Sequence, residues 1–175
     1  MRTATLLSAA GIAAILAGLL RAIAALVPTE TPGLVLPLLY MVTDWFFLLG
    51  VIGMYLHQYE RIGGLGFGAF LASVTGIVVI RSSHALPGVD LYPAGALIFA
   101  LGIVVLGVAL RRIGELKTWV VGLWAASLLV GVAASLVAQP RLLLIAAGLL
   151  FAVGFCGVGL TLTAAAKMMS GRESK

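Results

Sequence analysis

Between Leu38 and Tyr59 the chain reads LLYMVTDWFFLLGVIGMYLHQY, a run apolar enough to cross a bilayer that carries an aspartate, Asp44, several residues inside. A charge at the bilayer centre costs on the order of 2.5–3.5 kcal/mol on insertion scales, so it needs a partner. Asp44 is the only carboxylate within an apolar segment, and Arg21 is the only basic residue lying well inside another. In a hairpin turning near Thr31, Arg21 stands ten residues before the turn (31 − 21) and Asp44 thirteen after it (44 − 31). At about 1.5 Å per residue the two lie within roughly one turn of the same depth. The expectation is an intramembrane ion pair between Arg21 and Asp44, with Tyr40, one turn from Asp44 on the same face, hydrogen-bonding to the carboxylate. A static lock between two helices is the simpler role, because the sequence places only Thr43 and Tyr40 at that depth besides. The alternative is a gate, a substrate contact or a proton site.

The rest of the composition agrees with a membrane chain. Hydrophobic residues make up 62% of the 175 and charged residues 10%, against roughly 25% charged in soluble domains. With about 20 apolar residues per span, the chain has room for six short spans and no extramembrane domain. The pI of about 9.9 does not indicate nucleic acid, because the basic residues gather in short loops and the tail. The single cysteine, Cys156, lies in the last apolar run, where it serves as a small packing residue and says nothing about redox compartment. The opening MRTATLLSAAGIAAILAG has the outline of a signal sequence, with Ala22-Ile23-Ala24 as a cleavage site. The apolar run before Arg21 is longer than a usual signal core, so the segment reads as the first transmembrane helix.

The fold class expected is therefore all-α: one domain, residues 1–175, forming a polytopic bundle of six transmembrane helices over about 4–27, 36–57, 63–81, 91–110, 118–138 and 141–165. Gln139-Pro140 turns directly between the last two, which makes them antiparallel neighbours. The N-terminus, second and fourth loops and tail hold Arg2, Arg61, Arg111, Arg112, Lys117, Lys167, Arg172 and Lys175. The other side holds only Arg81 and Arg141, with Arg21 near that end. Eight against three places both termini in the cytoplasm of a multi-pass cell-membrane protein. All six prolines then fall on the outer side, with Tyr40 and Tyr92 in an outer aromatic belt and Tyr55, Tyr59 and Trp119 in an inner one.

Small residues mark packing faces. In helix 1, Gly11, Ala14, Gly18 and Ala25 share a stripe with Arg21. In helix 3, Gly64, Gly68, Ala72 and Gly76 form an unbroken small-xxx-small ladder, read as a close helix–helix contact. A weak repeat also runs through the even-numbered helices. Phe47-Leu-Leu-Gly50, Phe99-Ala-Leu-Gly102 and Phe151-Ala-Val-Gly154 are spaced by 52 and 52 residues (99 − 47 and 151 − 99). In addition, Gly68-Ala-Phe-Leu-Ala-Ser73 echoes Gly122-Leu-Trp-Ala-Ala-Ser127. Three related hairpins, with helix 6 pairing with helix 1, would produce this pattern, although so apolar a sequence also yields four-letter matches by chance.

No chemistry-bearing motif is present: no nucleophile elbow, zinc-protease signature, phosphate loop or potassium filter. His57 and His84 fall on opposite sides, so neither haem nor a metal is expected, and no cofactor or catalytic residue is assigned. Intramembrane Ser73, Thr75, Ser127, Thr161 and Thr163 are read as bonding to their own helices. His57-Gln58-Tyr59-Glu60-Arg61 reads as a charged loop at headgroup level. Arg111, Arg112 and Lys117 are candidate contacts for anionic lipid.

Two function classes follow. The first is a non-catalytic accessory or assembly subunit that packs against other membrane proteins; minimal loops, glycine-rich faces and the lack of convergent polar groups favour it. The second is a membrane-embedded small-molecule-binding or transport component. In size, six spans and cytoplasmic termini the chain resembles the substrate-binding subunits of vitamin-uptake transporters, a resemblance of outline that implies a ligand site within the bundle. An enzyme is not expected.

Overall fold

The computed structural model describes residues 3–28, 32–83 and 90–173; the Thr29–Thr31 turn, His84 and Pro87 lie outside them. Among the described residues six helices form: α1 (Thr3–Leu26), α2 (Val35–Gln58), α3 (Gly63–Ser82), α4 (Tyr92–Arg112), α5 (Thr118–Ala134) and α6 (Arg141–Glu173). All but α5 are long and apolar enough to cross a membrane, and α5 is a shorter apolar helix. The outward faces carry Leu34, Leu129, Leu136 and Leu142, each at least 70% exposed. A soluble bundle turns polar residues outward; this one turns leucine, as a multi-pass membrane protein does.

Four helices end within two residues of the positions expected from the sequence, and two do not. Helix α5 stops at Ala134 and not near 138, because the Ser135 hydroxyl folds back to donate to the Val132 carbonyl and the chain turns towards Pro140. Helix α6 continues to Glu173 instead of stopping at 165, so most of the tail read as merely polar is helical. No proline interrupts that stretch, and its last turns need only a polar surface.

Successive helices pack as neighbours around the bundle, and α6 closes the ring on α1. Side-chain size decides which seams are tight. Along α1/α6, Gly11 lies against Gly159 and Thr163, and Gly18 against Ala152 and Cys156. A Cβ on Gly18 would stand 2.6 Å from the Ala152 carbonyl oxygen, so the two backbones meet with nothing between them. The sequence stripe of α1 thus divides: Gly11, Gly18 and Ala25 face α6, while Ala14 meets Gly50 of α2. The α2/α3 seam is looser because Tyr55 and Phe70 stack in it, 4.3 Å between ring centroids.

The ladder expected on α3 is not its packing face. Gly64 and Gly68 are exposed, and a Cβ on either would meet nothing within 4 Å; Ala72 is half-buried. The residues turned inward are Gly66, Ala69, Ser73 and Gly76, and of the ladder only Gly76 presses on the α4 backbone, at Phe99. Both series have helical spacing, and spacing alone does not say which faces the partner.

Phe47, Phe99 and Phe151 come together between α2, α4 and α6. Their ring centroids form a nearly equilateral triangle with sides of 5.7, 5.6 and 5.4 Å. Each glycine three residues further on abuts the first helix of its own hairpin: Gly50 on Ala14, Gly102 on Ser73, Gly154 on Trp124. The 52-residue spacing therefore marks equivalent positions in three hairpins, α1/α2, α3/α4 and α5/α6.

Candidate intramembrane binding site

Directly beyond the phenylalanine triangle, towards the end of the bundle where the three hairpins turn, lies a cavity of about 520 Å3 to which all six helices contribute. Its walls are layered, and the layers follow the repeat. The floor is Phe47, Phe99 and Phe151; one turn out, Asp44, Ala96 and Gly148 line it; one turn further, Tyr40, Tyr92 and Leu144 form the rim. Every member of each trio is 52 residues from the next (for example 92 − 40 and 144 − 92). From rim to floor is seven residues along each helix, about 10 Å. In the middle layer two of the three equivalent positions hold only Ala96 and Gly148, and Gly148 lets Ala25 and Arg21 of α1 approach the α6 backbone.

Three charges meet there. The carboxylate of Asp44 forms its ion pair with Arg81 at the end of α3, with 15% and 40% of the respective side chains exposed. This corrects the expected Arg21–Asp44 pair. The depth was right: Gly50 abuts Ala14, and seven residues from each reference put Arg21 level with Thr43 (14 + 7 and 50 − 7). The direction was not. Arg21 leans towards α6, where its guanidinium lies 3.5 Å from the Cβ position of Gly148 and 6.0 Å over the Tyr40 ring. Tyr40 thus meets Arg21 through its ring, and no carboxylate lies within salt-bridge distance of Arg21 among the described residues. Tyr92, read from the sequence as an interfacial belt residue, lies within electrostatic reach of Arg21, Tyr40, Asp44 and Arg81.

The serine and threonine hydroxyls around the cavity are already committed. Thr43 donates to the Leu39 carbonyl (2.7 Å), Ser127 to Ala147 across the α5/α6 seam (2.8 Å), and Ser135 to Val132 (2.7 Å). Only the Ser127 bond departs from the expected bonding to its own helix.

Four cavity residues, Arg81, Tyr92, Ala96 and Gly148, carry no site role in the sequence pattern alone. Arg81 was assigned to a loop end, although its long side chain reaches a turn inward. The 52-residue period, followed outward from the phenylalanines, would have found Tyr92, Ala96 and Gly148.

At the opposite end, Glu115 holds two loops together. It accepts from Arg61 Nη1 at 2.7 Å and lies 3.5 Å from His57 Nε2, while Arg61 also donates to the Ile113 carbonyl. The charged loop after α2 is thus a tie to the α4–α5 turn. Arg111, Arg112 and Lys117 are exposed beside it, and Arg111 donates to Thr118 Oγ1. Among the described residues no three His, Cys, Asp or Glu side chains cluster as metal ligands would. No protein-family model matches the chain, and no curated protein or solved structure is detectably similar to it.

Proposed function

We propose that this chain is a membrane-embedded binding component for a small molecule, of the kind a transport system uses to capture its substrate. The observation that carries this reading is the cavity. Its size suits a small ligand, it is mostly apolar, and a few charged and phenolic groups converge on it. A purely structural bundle has no need of such a space, and lining residues of this kind are costly unless something uses them. Native mass spectrometry from lipid nanodiscs tests the reading. Wild-type protein should carry a bound species of a few hundred daltons that dissociates on activation, and Ala100→Trp, which fills the cavity, should carry none. A wild-type spectrum with only lipid adducts, identical to that of Ala100→Trp, would argue against it.

The accessory-subunit reading keeps one observation in its favour: the α3 face bearing Gly64 and Gly68 has nothing packed on it. It and the binding role are compatible, since a capture subunit also docks on a partner, and neither requires catalysis. The basic residues favour both termini in the cytoplasm, so that the cavity opens outward. Cysteines at Ser82 and Gly114, in a Cys156→Ala background, should report this. An impermeant thiol reagent added to intact cells should label the first alone, and labelling of the second alone would reverse the orientation.

A further inference from the structure

We infer that the ligand, if the binding reading above holds, is a compact monoanion: a carboxylate on a ring-containing apolar body, held by Arg21. The charge balance of the cavity points there. Two guanidinium groups and one carboxylate line it, and Arg81 and Asp44 neutralise each other. Arg21 remains, half-buried and facing the Tyr40 ring, within electrostatic reach of Asp44 but in salt-bridge contact with no carboxylate among the described residues. A cation in a low-dielectric site is costly until an anion joins it. The donors match as well. With the hydroxyls of Thr43, Ser127 and Ser135 spent on backbone carbonyls and Arg81 paired with Asp44, the unpaired groups that can donate inward among the described residues include Arg21 and the phenols of Tyr40 and Tyr92. A carboxylate accepts from both kinds, and guanidinium binds it in a bidentate manner. Below them the floor offers three tilted phenylalanine rings, which suit the edge or face of another ring. The depth of about 10 Å accommodates a fused bicycle and not an extended long acyl chain.

The experiment uses wild-type protein in nanodiscs and three isosteric probes: 2-naphthoate, 2-naphthalenemethanol and 2-naphthylmethylammonium. Specific binding is measured against empty nanodiscs. 2-Naphthoate should bind about tenfold or more tightly than the alcohol, and the ammonium least. Arg21→Gln should abolish the preference, bringing naphthoate binding to the level of the alcohol, and Arg21→Lys should restore part of it. The wild-type comparison stands even if a variant fails to fold. Alcohol or ammonium binding as tightly as naphthoate would overturn the anion assignment and leave the binding role standing. Binding by none of the three would overturn both. Displacement of naphthoate by palmitate at lower concentration than by unlabelled naphthoate would overturn the compact body, assigning the site to membrane-derived fatty acids.

Discussion

Gly76→Leu should leave little folded protein in detergent, whereas Gly68→Leu should behave as wild type. At Gly76 any Cβ falls on the backbone of Phe99, and backbone cannot swing aside as a side chain can. The floor of the cavity rests on that contact, because Phe99 is one corner of the aromatic triangle. Overpacking in cores typically costs about 1–3 kcal/mol, and a leucine driven into a neighbouring helix lies at or beyond the upper end. For a chain of this size that corresponds to a fall in melting temperature of about 10 °C or more. At Gly68 a side chain enters open space, so the melting temperature should move by no more than about 2 °C. Thermal unfolding of the two variants side by side decides between the face that the structure turns inward and the ladder that the sequence suggests.

The second large effect concerns Asp44. Asp44→Asn should destabilise the protein, and Arg21→Gln should not. Removing one member of a buried ion pair costs about 3–5 kcal/mol. Because Arg81 is 40% exposed, water offsets part of that, and a loss of about 1–3 kcal/mol is expected here. Arg81→Gln should cost less than Asp44→Asn, since it leaves the Asp44 carboxylate with Arg21 still within electrostatic reach, instead of two guanidinium groups with no carboxylate between them. The double variant should recover part of the loss, and a cycle over the pair measures the coupling. Arg21→Gln removes a cation that makes no salt bridge among the described residues and reaches Asp44 only at longer range, so stability should stay level or rise. Residues kept for binding often cost stability. A loss of stability at Arg21 equal to that at Asp44, with strong coupling between the two, would restore the simple lock between α1 and α2.

Much of this was legible in the residues. Six apolar runs separated by Pro-, Gly- and charge-bearing turns define six helices, and a carboxylate inside a span demands a partner. The depth of Arg21 relative to Asp44 also follows from counting along a hairpin. Azimuth does not. Whether Arg21 turns to α2 or to α6, and whether Gly64-Gly68 or Ala69-Ser73-Gly76 faces α4, depends on how each helix is rotated against all its neighbours at once. Helices with apolar residues on every side give that rotation no hydrophobic stripe to read. Arg81 escaped notice for a different reason: a boundary residue with a long side chain can act a full turn from its Cα. The repeat was the underused signal. Phe47, Phe99 and Phe151 alone match what an apolar chain yields by chance. Tyr40 with Tyr92, and the small pair Ala96 with Gly148, carry the same spacing along the part of the cavity wall that α2, α4 and α6 supply, with Asp44 the one charged departure from it.

The central claim is that a solvent-accessible, positively biased cavity lies between the hairpins at the depth of Asp44. Thiol modification of Ala96→Cys, in a Cys156→Ala background, tests it most directly, with Ala109→Cys in the packed core as reference. Ala96→Cys should react readily with methanethiosulfonate reagents. The anionic ethylsulfonate reagent should be favoured over the cationic ethyltrimethylammonium one once each rate is normalised to a free thiol. Adding Ala100→Trp should suppress the reaction. Reactivity at position 96 no greater than at position 109, or unaffected by the tryptophan, would mean that the cavity is closed or absent, and the binding role would fall with it.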